Sequence, residues 1–190
     1  MATILKRQFI KEVRASGAIE PFAKKEVKKQ FDQAKANLLR EFDEHPVTVE
    51  IEAGSGAENL SGTLVGKGNL FGFIGFRSSD TPIAAVRNLL NSISFKNTKN
   101  GQGLTYEYKI DEPSQEEIKA ATPMPWLSGR SWIAGIESGI SGLSRFLTRK
   151  SLATSRSGVA IQTDKPINKA SFKPRSYLSG ILDRFRKSFE

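Results

Sequence analysis

The sequence predicts an α+β fold: a small antiparallel sheet of about four strands, packed by a long N-terminal helix and a crossing helix, with a helical C-terminal extension. Three observations lead there. An apolar stripe at helical spacing runs through residues 20–44, short segments between 47 and 110 alternate apolar and polar residues, and helical periodicity returns after residue 114. Strands and helices do not alternate regularly, as a doubly wound parallel sheet requires. Residues 1–127 make the expected core domain. Residues 128–190 make a basic extension of helix, arm and closing helix packed on it.

The first helix starts near Glu20-Pro21, because proline lacks only an N–H that has no partner at a first helical position. Phe22, Val27, Phe31, Ala34, Leu38 and Phe42 form its stripe, and His45-Pro46 ends it, since a residue before proline is pushed out of the helical region. Val47, Val49 and Ile51 alternate with Thr48, Glu50 and Glu52, the pattern of a half-buried strand. Thr63 to Val65 and Asn69 to Phe76 read as further strands, with Gly72 and Gly75 marking a bulge or a close backbone approach.

Thr81-Pro82 opens a helix carrying Ile83, Val86, Leu89, Leu90 and Ile93. Asn97 to Gly103 reads as loop, and Leu104, Tyr106, Tyr108 and Ile110 as the clearest strand. Ser114 to Glu117 is a capping box opening a short helix to about Ala121, which Pro123 and Pro125 break. Trp132, Ile133, Ile136, Ile140, Leu143 and Leu147 predict a second long helix. A polar loop or arm follows from Thr148 to Ser157, then an edge strand at Val159 and Ile161. Tyr177, Leu178, Ile181, Leu182 and Phe185 mark the closing helix, with Ser176 as its cap.

The composition excludes several classes of chemistry. The chain has 190 residues, 38% of them hydrophobic, and no cysteine. That rules out disulfide scaffolds, thiolate metal sites and cysteine nucleophiles. No apolar run approaches the roughly 18 residues that span a bilayer, and Met1 to Arg14 lacks the apolar stretch of a signal peptide, so synthesis and use in the cytoplasm are expected. His45, the one histidine, sits at a helix end and cannot form a multi-histidine site. Glu50 with Glu52, and Asp111-Glu112 with Glu116-Glu117, read as the polar side of a strand and a helix start favoured by the dipole. Gly54-Ser-Gly56 and Gly66-Lys-Gly68 lie between strand candidates and open no helix, as a phosphate loop must. No catalytic residue, cofactor or metal site is expected.

Charge is the more informative signal. Of the net charge of +9, residues 1–44 carry +3, residues 45–127 carry −2 and residues 128–190 carry +8. Such segregation points to a contact surface facing something negative. Arg145, Arg149, Lys150 and Arg156 lie in a Ser/Thr-rich stretch with no acidic residue before Asp164. They suit either phosphates, bound without sequence reading, or an acidic protein partner. Gly135, Gly139 and Gly142, with Ser138 and Ser141, interrupt the second long helix at about 1 kcal/mol per glycine relative to alanine. Either another backbone approaches closely there, or the helix is broken within the monomer.

Three stretches also carry a resemblance. Asn69-Leu-Phe-Gly-Phe-Ile-Gly-Phe76, Pro125-Trp-Leu-Ser-Gly-Arg-Ser-Trp132 with Ile136-Glu-Ser-Gly-Ile140, and Phe172-Lys-Pro-Arg-Ser-Tyr-Leu178 resemble virion proteins of tailed bacteriophages, especially the small head-to-tail joining, or tail-completion, proteins. Members commonly end in a Pro-Phe-Leu-like motif followed by a short helix, and Arg175 to Leu178 looks like its counterpart. Ser176 stands where a proline is usual, and Pro123 to Gly158 is longer and more basic than in a minimal member.

The resemblance implies a non-enzymatic structural protein of the virion, made in the host cytoplasm, that forms an oligomeric ring between the portal vertex and the tail tube. Trp126, Trp132, Gly135, Ile136, Gly139, Ile140 and Gly142 then form the subunit contact. The arm of Arg145, Arg149, Lys150 and Arg156 faces lumenal DNA or the acidic surface of a neighbouring ring. No membrane contact is implied. The competing expectation is a nucleic-acid-binding module that uses the same arm.

Overall fold

A computed structural model of the chain describes residues 17, 19–64, 68–100, 106–125, 127–139 and 172–189. In chain order they form α1 (Ile19–Glu44), α2 (Pro46–Glu52), a single 3-10 turn (Gly54–Gly56), α3 (Leu70–Ile74), α4 (Pro82–Ser92), β1 (Ser94–Asn100), β2 (Tyr106–Asp111), α5 (Gln115–Ala121), β3 (Pro123–Met124), β4 (Leu127–Ser131), α6 (Trp132–Ser138) and α7 (Leu178–Lys187). The α+β class stands, but the single four-stranded sheet does not. The described strands make two separate antiparallel ribbons, β1 with β2 and β3 with β4.

Two predicted strands are helices. Val47 to Ile51 lies in α2, where Pro46 takes a first-turn position and His45, in extended conformation, accepts the Val47 N–H on Nδ1 at 3.2 Å. In seven residues, alternation and helical spacing share positions, and burial decides between them. Val47, Thr48, Glu50 and Ile51 face inward while Val49 is 39% exposed, an inward face at helical rather than alternate spacing.

Asn69 to Phe76 holds α3, a short apolar run of the kind that fits a buried strand or a buried helix equally. Asn69 decides it by accepting the Gly72 N–H at 2.9 Å. Gly75 ends the helix at φ 85°, its N–H reaching Phe71 and Gly72 carbonyls and the Phe76 N–H also returning to Phe71. That is a left-handed glycine cap rather than a bulge. Of the strand expected at 63–65, Leu64 makes an isolated antiparallel bridge to Phe172, and Val65 lies outside the described residues.

The remaining elements follow their local signals more closely. α1 begins and ends as expected, and α4 buries Ile83, Val86 and Leu90. The capping box of α5 is complete: Glu117 N–H donates to Ser114 Oγ at 3.2 Å and Ser114 N–H to Glu117 Oε2 at 2.7 Å. β2 forms, and it pairs with β1, which takes up residues 97–100 of the expected loop, with Phe95 opposite Ile110. The Pro123 break is itself a strand end, pairing Met124 with Leu127. The second long helix is described as α6 alone, capped by Ser131 Oγ on the Ala134 N–H.

One apolar core joins these parts. Phe31, Ala34, Leu38 and Phe42 of α1 pack with Leu70 and Ile74 of α3, Val86 and Leu90 of α4, Trp132 and Ile136 of α6, and Tyr177, Ile181 and Phe185 at the C-terminal end. α7 runs antiparallel to α1, since Arg184 reaches Glu41 at 2.7 Å while Gln30 donates to the Ser188 carbonyl at 2.8 Å. The basic extension therefore contributes side chains to the centre of the molecule. No described helix is long and apolar enough to cross a membrane.

Candidate interaction face at the C-terminal return

The basic stretch 140–171 holds six Lys/Arg residues and one Asp, and it connects two described stems that adjoin one another. The first stem is the end of α6. Gly139 has φ 90°, a conformation that disfavours any side chain, and a Cβ there meets Pro174 Cγ at 3.5 Å. The second stem is Phe172 to Tyr177. Its Arg175 N–H donates to the Ile136 carbonyl at 3.1 Å, which closes the end of α6. Lys173 N–H donates to the Thr63 carbonyl at 2.8 Å, and the Phe172 ring stacks on Phe73 at 5.7 Å and 10°.

Glu137 ties the stems to α7. Its Oε1 accepts the N–H of Tyr177 at 3.1 Å and of Ser179 at 2.7 Å. A carboxylate from another helix thus caps α7, whose own start has no side-chain cap. The expected cap, Ser176, is corrected to Glu137. The sequence analysis gave Glu137 no role of its own; the signal available was scarcity, since residues 128–190 hold four carboxylates, Glu137, Asp164, Asp183 and Glu190, against twelve Lys/Arg.

Tyr177 is the buried anchor. It is 0% exposed, and its hydroxyl lies 2.7 Å from Thr48 Oγ1, also 0% exposed. Its ring lies against those of His45 at 4.8 Å, Phe42 at 6.0 Å and Trp132 at 6.3 Å. Burial holds the phenol well above its ordinary pKa, so it stays protonated. The His45 imidazole is pushed below its ordinary value by burial first and by the charges of Arg184 and Arg175 next, with Glu41 opposing. Its Nδ1 is already committed to Val47.

A second carboxylate was misplaced by the sequence reading. Glu50, assigned to the polar side of a strand, is 0% exposed. Oε1 accepts the Leu70 N–H at 2.6 Å and Oε2 the Ser61 N–H at 2.7 Å. Two short charge-assisted bonds offset the cost of burying it. They fix the loop from which Thr63 receives the second stem.

The predicted contact residues fall into three groups. Trp132 and Ile136, expected at a subunit contact, are 1% and 0% exposed within this chain, and Trp132 meets Phe76 edge-on at 5.9 Å. Within this chain their surface is used in the core. Gly135 lies in α6, partly buried, and Gly139 follows the end of that helix with a positive φ that favours glycine. Trp126, Ile140, Gly142, Arg145, Arg149, Lys150 and Arg156 lie outside the described residues, as do Val159 and Ile161.

Among the described residues, no group of three His, Cys, Asp or Glu side chains is placed to hold a metal ion. Lys173 and Arg175 are exposed and form no salt bridge among the described residues, whereas Arg184 and Arg186 are paired to Glu41 and to Glu112 with Asp183. The second stem therefore adds two cations that have no salt bridge among the described residues.

Fold and face together define an α+β protein that holds a basic stretch between two adjoining, internally anchored stems. Comparison with protein-family models, with characterised proteins and with solved structures finds no match to this chain.

Proposed function

We propose that this protein is a non-enzymatic structural component of a tailed-phage virion, a subunit of an oligomeric ring in the neck or tail terminus that joins head to tail. The observation that carries the reading is where the closing motif sits. Phe172 to Leu178, whose part Arg175 to Leu178 looks like the counterpart of the family's terminal motif, is held on one side by Thr63 and on the other by Ile136 and Glu137, and it delivers α7 onto the long first helix. A segment built in this way supports the arm of Arg145, Arg149, Lys150 and Arg156 from a rigid base. The arm then meets lumenal DNA or the acidic surface of the next ring on the portal or the tail-tube side. This role asks for no reaction and no cofactor.

The concentration of positive charge favours one competing reading, a nucleic-acid-binding module. Light scattering at low and high salt, with and without a generic DNA duplex, separates the two. A salt-resistant, ring-sized particle with little DNA uptake is the expected result. A monomer that takes up duplex at low salt and releases it at high salt overturns the ring reading in favour of the module.

A further inference from the structure

The groups around His45 divide by the part of the chain that carries them. Its cation is disfavoured by burial first, then by Arg184 on α7 and Arg175 on the second stem, and it is favoured by Glu41 on α1. Among the described residues these are the charged groups that act on it. The ring against the imidazole, at 4.8 Å, belongs to Tyr177, which stays protonated. From α2 comes the Val47 N–H, donated to Nδ1 at 3.2 Å. α1 and α2 thus hold the neutral imidazole, while the C-terminal return, residues 172–189, brings to it a buried ring and two guanidinium groups.

Glu41 is shared between these two sides. Its Oε2 accepts from Arg184 Nε at 2.7 Å, in a pair whose side chains are 39% and 58% exposed. A pair so open to solvent contributes little and is easily exchanged. Protonation of His45 takes the acceptor from Val47 and sets a third positive charge near Arg175 and Arg184. Attraction between the cation and the Tyr177 ring offsets part of that cost. The Tyr177 ring and both arginines belong to the return, whereas Glu41 stays on α1 beside His45, four residues before it.

We infer that His45 is a proton-operated release for the C-terminal return: in acid its imidazolium takes Glu41 from Arg184, and residues 172–179 open from the body while α4 keeps its packing. The open form hydrates the imidazolium, removes Tyr177 and Arg175 from it and leaves Glu41 free to pair with it. It therefore binds the proton more tightly than the closed form does. Protons favour whichever state binds them more tightly, so opening becomes more frequent as pH falls from about 6.5, the ordinary histidine value. The stem that opens is the one that follows the basic stretch 140–171. The inference stands on the geometry of the single chain and does not depend on the ring reading.

The amides of Lys173 and Arg175 report the opening, because they donate to the Thr63 and Ile136 carbonyls, which do not titrate. Their hydrogen-exchange protection, corrected for the intrinsic pH dependence of exchange, is compared at about pH 7.5 and about pH 5 with that of Val86 and Leu90 in α4. The expected result is a several-fold fall at Lys173 and Arg175 with α4 unchanged. His45→Asn, which keeps a capping acceptor and cannot titrate, should abolish the fall. Arg184→Gln frees Glu41 in the closed form, so the His45 titration followed by NMR should move upward and the fall at the two amides should shrink.

Unchanged protection at Lys173 and Arg175 in the wild type overturns the inference. So does an equal loss in α4, which makes the opening global, or the same fall in His45→Asn, which assigns it to carboxylates. A His45 titration that Arg184→Gln does not move overturns it as well, since Glu41 is then not exchanged between the two cations.

Discussion

Around α3 and around α7, a carboxylate from a different helix closes a helix start, yet the two regions lie at opposite levels of burial. Glu50 is sealed from solvent, and everything near it is committed. Asn69 accepts from Gly72 and donates to the Ser55 and Ala57 carbonyls at 2.9 and 2.8 Å, and Ser61 Oγ lies 2.9 Å from Thr63 Oγ1. Glu137 is only partly buried, and one of its two bonds, to Ser179, is exposed. The difference teaches where each region gets its stability. A buried polar network loses heavily when one member is removed, because water cannot replace it. A cap at the surface can be replaced in part by solvent, and the apolar face of α7 carries the rest.

The largest expected effect is at the buried site. Glu50→Ala leaves the Leu70 and Ser61 N–H groups without partners and costs about 3 kcal/mol, read as a fall in the urea midpoint. A loss below about 1 kcal/mol would show that water reaches that pocket, and the contrast between the regions would collapse.

Next is Tyr177→Phe, which deletes the hydroxyl facing Thr48 but keeps the ring. It is expected to cost about 1–2 kcal/mol by the same measurement. The paired change with Thr48→Val should recover part of the loss, since neither polar atom is then left alone.

Glu137→Ala is expected to cost about 1 kcal/mol, the usual value of an N-cap. Hydrogen exchange should quicken at Ser179 while the amides of α4 keep their protection. Equal loss of protection in both helices would mean that the cap governs the entire core rather than one helix start.

The smallest effect is the acid limb set by His45. Its folded pKa lies below its unfolded value, so the unfolded chain binds the proton more readily. Its contribution is complete well above about pH 6.5, the unfolded value, and is lost as pH falls from there through the lower folded value. Protonation also removes the Nδ1 acceptor from Val47. His45→Asn keeps a capping acceptor but cannot titrate. The fall in urea midpoint between about pH 7.5 and about pH 5 should therefore be smaller in this variant than in the wild type. An unchanged slope would place the acid sensitivity on carboxylates instead.

Several elements were legible in the sequence because their causes lie within a turn or two of chain. α1, α4, α5 and α7 each carry a stripe at helical spacing, and proline or a capping box marks the starts of α1, α4 and α5. β2 alternates cleanly, whereas β1 was missed because its run, Ser-Phe-Lys-Asn-Thr-Lys-Asn, offers Phe95 as its one apolar residue and takes its pairing from β2. The candidate face was legible only as charge. Its stems, and the role of Glu137 between them, depend on residues about forty positions apart.

The sequence by itself determined the helices with apolar stripes, the basic charge of the last third and the absence of cysteine chemistry. Those properties follow from composition and from neighbours three or four residues away. It took the tertiary structure to make 47–52 and 70–74 helical, to bury Glu50, and to place Trp132 and Ile136 in the core. Each is settled by partners distant in sequence. A short apolar run satisfies strand and helix alike until a remote carboxylate or a packed ring makes one of them cheaper.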